Sequence, residues 1–97
     1  MTAYLVATVN ITDPAPFGEY ARGIAGLAEK FGGEPVMKGA VTEFVEGDGI
    51  AQERVVVTRF PDMDAARAYL ESPEYLAAKA HREGAATAVI RLIDVPG

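Results

Sequence analysis

Residues 54–60, Arg-Val-Val-Val-Thr-Arg-Phe, place three consecutive valines at the centre of a short segment. β-Branched side chains suit a pleated sheet, and a run of them, rather than an alternation, marks a strand buried on both faces. Ala3–Ile11 predicts a second strand of related character. Leu5, Ala7, Val9 and Ile11 fall on one face, and Tyr4, Val6, Thr8 and Asn10 give the other a mixed composition. Among 97 residues this is the tightest constraint on the fold. A domain of that size buries only roughly 60–65% of the surface of its unfolded chain, so little else is at hand to cover a sheet on both sides.

The remaining segments read as two helices and two further strands. Thr12-Asp13-Pro14 opens a helix, with Asp13 at the N-cap and proline at the first helical position. Phe17, Tyr20, Ala21, Ile24, Leu27, Ala28 and Phe31 then recur at helical spacing until Gly32-Gly33 stops the helix. Pro35 to Glu46 predicts an extended segment with a bulge or bend at Gly39, followed by a turn at Gly47-Asp48-Gly49. Pro61-Asp62 starts the second helix, with Ala66, Tyr69 and Leu70 on its buried side. Ser72-Pro73 breaks that helix into a shorter one, packed through Tyr75, Leu76 and Ala80 and ending near Gly84. Thr87–Val95 supplies the last strand.

The order β, α, β, β, α (broken), β predicts a ferredoxin-like α+β domain spanning residues 1–97, with a four-stranded antiparallel sheet and its helices on one face. The other face, with Val6 and the valine run, is too apolar to stay wet. Packing against the sheet of a second copy is the economical cover.

Composition narrows the partners. The formal net charge is -5, against nine Lys and Arg in total, which argues against nucleic acid, whose phosphates demand a dense basic surface. The absence of cysteine removes disulfides, thiolate nucleophiles and cysteine-ligated zinc, and fits the cytoplasm. Met1-Thr2-Ala3-Tyr4 carries no charged leader before an apolar run, and no apolar stretch approaches the ~20 residues of a membrane helix. No membrane partner is expected.

Several short motifs occur together along the chain. They are Ala3-Tyr4-Leu5-Val6-Ala7, Asp13-Pro14, Tyr20, Phe31-Gly32-Gly33, Lys38-Gly39, Glu46-Gly47, Arg54 and Phe60-Pro61. Ser72-Pro73-Glu74-Tyr75, Arg82 and Ala85-Ala86 complete the set. In this combination the chain resembles the domain of unknown function family DUF1330, within the dimeric α/β barrel superfamily. The resemblance implies a ferredoxin-like subunit and a homodimer, and no established reaction. Relatives in the superfamily include cofactor-independent oxygenases, chlorite dismutase-like haem proteins, muconolactone isomerases and ligand-sensing domains, a breadth that selects no activity. The chain has no tryptophan and no histidine in a recognisable haem-ligating context.

The candidate polar residues each admit two readings. His81, the single histidine, is either a base or ligand or an exposed helix residue. Arg54, Arg59 and Arg91 lie in strands, with Arg59 on the face of Val55 and Val57 and Arg91 on that of Val89 and Ile93. Each anchors a small carboxylate, or else pairs with Glu43, Glu46 or Asp94. Lys38 sits beside the bend at Gly39. Tyr20, Tyr69 and Tyr75 present hydroxyls to a cavity or pack their rings in the core, and Asn10 meets a ligand or serves the turn after it. Glu46-Gly47-Asp48-Gly49 lacks the remaining ligands of a calcium loop, and neither a phosphate loop nor a nucleophile elbow is present.

Tyr20, Arg54, Tyr75, His81 and Arg82 are therefore the ligand-pocket candidates. No catalytic residue is assigned, and no metal or cofactor is expected. The leading expectation is a homodimeric small-molecule-binding protein. The alternatives are a cofactor-independent oxygenase or isomerase acting on a small organic acid or aromatic ring, with Tyr or His moving the proton, and a non-catalytic interaction or ligand-sensing module.

Overall fold

The computed structural model describes residues 2–96; Met1 and Gly97, the ends of the expected 1–97 domain, lie outside the described residues. Strands β1 (Thr2–Ile11), β2 (Glu34–Ala40), β3 (Arg54–Phe60) and β4 (Ala86–Val95) form one antiparallel sheet in the order β2–β3–β1–β4. Helices α1 (Pro14–Ile24), α2 (Met63–Glu71) and α3 (Pro73–Arg82) lie on one side of it. The architecture is the ferredoxin-like α+β fold.

Alternation along β1 sets the two sides apart. Ala3, Leu5, Ala7 and Val9 are buried beneath the helices together with Phe60, Ala66, Tyr69 and Ala78. On β3, Val55, Val57 and Arg59 point to the other side, as the register Thr8↔Val55, Val6↔Val57 and Tyr4↔Arg59 requires. Val89, Arg91 and Ile93 of β4 join them there, opposite Thr8, Val6 and Tyr4.

Two elements depart from their expected extents. The apolar spacing predicts one helix through Phe31, yet α1 ends at Ile24 because Gly26 takes a left-handed conformation, φ +72°. Glycine enters that region without a Cβ clash, and a left-handed residue cannot propagate the helix. Leu27 still buries, and Ala28–Phe31 forms one 3₁₀ turn that Gly32, at φ +83°, closes as expected. Strand β2 stops at Ala40 rather than Glu46. Beyond Val41, whose amide donates to the Glu53 carbonyl (2.8 Å), the partner strand is interrupted: Gln52 lies at φ +61°, so residues 42–46 have no ladder to join. The register shift in β2 falls between Pro35 and Met37, while Gly39 pairs regularly with Val55. Proline lacks the N–H that a regular ladder uses, which draws the irregularity to its neighbourhood.

The caps differ as well. Asp62 accepts from the Ala65 amide (2.8 Å) as predicted, whereas Asp13 makes no side-chain cap. The amides of Thr12 and Asp13 instead donate to the Ala85 carbonyl at 2.8 and 2.9 Å, tying the start of α1 to the start of β4. In α3 the inward positions are Tyr75, Ala78 and Arg82. Leu76 and Ala80, expected to pack, are exposed, because the inward stripe from Tyr75 continues at i+3 and i+7, through Ala78 and Arg82.

Candidate functional site

Helix α1 leans on α3 rather than on the sheet. Gly23 makes this possible: a Cβ there would stand only 2.8 Å from the Cβ of Ala78. With α1 drawn sideways, space remains beneath it, and a cavity of about 390 Å³ opens between α1, the 3₁₀ turn and the helix-facing side of the sheet. Its floor is Leu5, Ala7 and Val9 of β1 with Val56 and Thr58 of β3, and Tyr20, Tyr69 and Tyr75 wall its inner end. Lys38, Arg54 and Glu29, all exposed, stand at its solvent side.

The broken helix places two of these tyrosines. Ser72 Oγ donates to the Tyr69 carbonyl (2.8 Å) and accepts from the Tyr75 amide (3.2 Å), so one hydroxyl ends α2 and begins α3. The Tyr69 and Tyr75 rings then meet edge to face, centroids 5.1 Å apart, and Tyr20 adds a third ring 6.5 Å from Tyr75. Arg82 locks the set from behind. Its Nη1 donates to both Tyr20 Oη (3.2 Å) and Tyr75 Oη (3.1 Å), and its guanidinium lies 5.0 Å from the centroid of the Tyr20 ring.

Arg82 is only 8% exposed and makes no ion pair among the described residues. Burial alone would push its pKa down, but the Tyr75 and Tyr20 oxygens hold it above the ordinary arginine value. The charge therefore stays. Burial, reinforced by Tyr75 and opposed by Arg82, pushes the Tyr20 phenol up to about 12; burial and the neighbouring Tyr20 and Tyr75 push Tyr69 up as well. Tyr20 thus remains a protonated phenol near neutral pH. Its oxygen accepts from Arg82, which fixes the direction of the hydroxyl.

Of the five predicted pocket residues, the fold brings Tyr20, Arg54 and Tyr75 to the cavity and sets Arg82 immediately behind it. His81 is not among them. It is exposed on α3, in an open surface groove with Glu19, Arg22 and Glu74, because the inward phase of the helix is taken by Ala78 and Arg82. Arg59 and Arg91 lie on the opposite face of the sheet. Arg59 pairs with Glu34 across the strands rather than with Glu43, Glu46 or Asp94, and Arg91 donates to Thr8 Oγ1 (3.2 Å). Asn10 lies within the ladder opposite Thr87, ahead of the turn. Thr58 and Glu29 escaped the sequence reading. The alternation of Arg54, Val56 and Thr58 on one side of β3 is the signal for Thr58; Glu29 has none, because the 3₁₀ turn that presents it is hidden in a helix-like pattern. Among the described residues no group of three or more His, Asp or Glu side chains is placed to hold a metal ion, and no helix is long and apolar enough to cross a membrane.

The same fold recurs in solved structures of low sequence identity. RPA0582, a protein of unknown function from Rhodopseudomonas palustris, superposes with a TM-score of 0.78 at 18% identity, covering 99% of this chain and 83% of its own. A dimeric ferredoxin-like protein of unknown function from Jannaschia sp. CCS1 gives 0.74 at 16% identity, covering 98% of this chain and 100% of its own. SnoaB, a cofactor-independent oxygenase from Streptomyces nogalater, gives 0.68 at 18% identity, covering 99% and 94%. No curated protein matches the sequence. The family model described as a domain of unknown function, DUF1330, matches residues 2–96, nearly the whole length, and the chain belongs to that family.

Proposed function

We propose that the protein is a homodimer that binds a small organic molecule in the cavity beneath α1. The observation that carries this reading is the pairing of a chamber of about 390 Å³ with two wall tyrosines fixed by a buried, charged Arg82. That volume lies within the range of small-molecule sites, and an apolar chamber with a few fixed donors is their usual composition. The Tyr20 and Tyr75 hydroxyls would donate to an oxygen of the ligand while the rings flank its apolar body. Thermal unfolding against a library of small aromatic and alicyclic metabolites tests this. A ligand-dependent rise in Tm that Tyr75→Phe diminishes supports it, and no rise with any compound at millimolar concentration rejects it.

The dimer is supported by the far side of the sheet. Val89 and Ile93 are 45% and 46% exposed there, and Met37 extends the apolar area. The likeness to proteins described as dimeric adds to this. Sedimentation equilibrium expects twice the subunit mass at micromolar concentration.

An enzymatic reading, oxygenase or isomerase, draws support from the fold shared with SnoaB. With its pKa near 12, Tyr20 would stabilise a developing oxyanion rather than remove a proton, and His81 is turned away from the chamber. Turnover of quinols or lactones that falls in Tyr20→Phe would favour this reading; equal turnover would leave binding alone.

A further inference from the structure

Lys38 and Arg54 are the two cations that line the cavity, and neither makes an ion pair among the described residues. The contrast with the other strand arginines is informative. Arg59 is engaged by Glu34 and Arg91 by Thr8, so a strand arginine in this sheet ordinarily has its donors occupied. The register Lys38↔Val56 and Ala40↔Arg54 puts Lys38 and Arg54 diagonally across neighbouring strands, on the helix-facing side. Diagonal neighbours in an antiparallel pair stand about 7–8 Å apart, within reach of long side chains. Two like charges so placed repel unless an anion joins them. Glu29 is the single carboxylate that lines the cavity, one negative charge against two positive, and it makes no ion pair with either within 4 Å. The result is a positive spot on a chain whose net charge is -5.

We infer that the ligand is an amphipathic organic anion, a ring-bearing carboxylate. Its acid group lies between Lys38 and Arg54, and its ring lies on the floor of Ala7 and Val56 toward the tyrosine wall. The arrangement is economical in solvation. β2 is exposed along its length, so the carboxylate keeps part of its water while the ring is buried, and neither end is left without partners. Guanidinium and ammonium groups together fit a carboxylate better than either does alone, the first through its paired donors and the second as a mobile point charge.

This inference rests on the cavity being the ligand site, and matched probes separate the two ideas. 6-Hydroxy-2-naphthoate and its primary amide share shape and differ in charge. Their affinities for the full chain are measured by calorimetry, alongside Lys38→Met/Arg54→Met, the two single substitutions, and Arg59→Met as a control on the opposite face. The acid is expected to bind at least tenfold more tightly than the amide. The double variant should abolish that preference while moving the amide by less than about threefold, each single variant should remove part of it, and Arg59→Met should leave it intact. Equal affinity of acid and amide for the parent overturns the carboxylate assignment while leaving the cavity as a site. A preference that survives the double variant, or is lost in Arg59→Met, overturns the assignment to Lys38 and Arg54. Binding of neither probe at millimolar concentration overturns the cavity reading, and the anion inference with it.

Discussion

The two faces of the sheet are built from the same strands and have opposite fates. On the helix side, Ala3, Leu5, Ala7 and Val9 of β1 are buried and Phe60 is wholly enclosed. On the far side the interleaved Tyr4, Val6 and Thr8 are only half-buried, and Val89 and Ile93 of β4 are exposed. The difference does not lie in composition, since both faces are rich in β-branched and aliphatic side chains. It lies in connectivity: all three helices are spent on one side. The lesson is that a small chain can carry an apolar surface that its own helices do not cover.

The sharpest test compares truncations on the two sides. Phe60→Ala removes a fully buried ring that packs against Tyr69, centroids 5.6 Å apart, and should cost about 3–5 kcal/mol. For a domain of this size that lowers Tm by at least ~12 °C. Ile93→Ala on the far face should cost less than about 1 kcal/mol when unfolding is followed at high dilution, where subunits are apart, and more as concentration rises. Equal, concentration-independent losses would show that the two faces do not differ.

A charge placed at the centre of the far face asks the same question of assembly. Val57 lies between Val6 and Met37 in the ladder, so Val57→Glu would bury an unpaired carboxylate in any sheet-to-sheet contact. A loss of 2–5 kcal/mol raises the dissociation constant by roughly 30-fold or more. Sedimentation velocity should show the variant as a folded single subunit. A parent that already sediments at the subunit mass would mean that the far face is simply open surface.

How much of this contrast could be read from the sequence follows from which patterns are local. The alternation in β1, the valine run in β3 and the Ser72-Pro73 break are each specified by a few adjacent residues, and all three appear where expected. The length of β2 was not legible, because Thr42 to Glu46 has strand-like composition and lacks only a partner, which the left-handed Gln52 farther along the chain denies it. The end of α1 was hidden for a related reason: Leu27, buried at the N-cap of the 3₁₀ turn, and the half-buried Phe31 face inward as they would from a helix. Tyr20, Tyr75 and Arg54 were recoverable as cavity residues, since each falls on a position that faces the helix–sheet boundary. Of the two readings of His81 the structure has the exposed helix residue, because a single residue of helical phase separates it from the inward Arg82. The cavity itself depends on Gly23 drawing α1 toward α3, a tertiary contact that no local pattern announces.

The helix side should also declare itself in alkaline solution. Tyr20 has a folded pKa of about 12 against about 10 unfolded, so the folded state binds more protons than the unfolded state between those values. Its contribution to stability is whole below pH 10 and is lost as pH rises to 12, a total of about 2–3 kcal/mol. Absorbance at 295 nm should show Tyr20 and Tyr69 ionising well above pH 10 and together with unfolding, and denaturation midpoints should fall from pH 10 upward. Ionisation of Tyr20 and Tyr69 near pH 10 with the fold intact would mean that the wall of the cavity is wet.

The smallest effect belongs to the ion pair of Arg59 and Glu34, which bridges β3 and β2 on the far face. Glu34 raises the pKa of Arg59 by hydrogen bonding and charge, yet both side chains are exposed to solvent, which screens the pair. A double-mutant cycle with Glu34→Gln and Arg59→Met, run at high dilution, should give a small coupling which 1 M salt removes. Repeated at concentrations where subunits associate, the same cycle reads the environment of the pair directly. If the second sheet excludes water from it, the coupling should grow and resist salt; if the coupling stays small and screened, the pair lies on the rim and the cover reaches no farther than the valines.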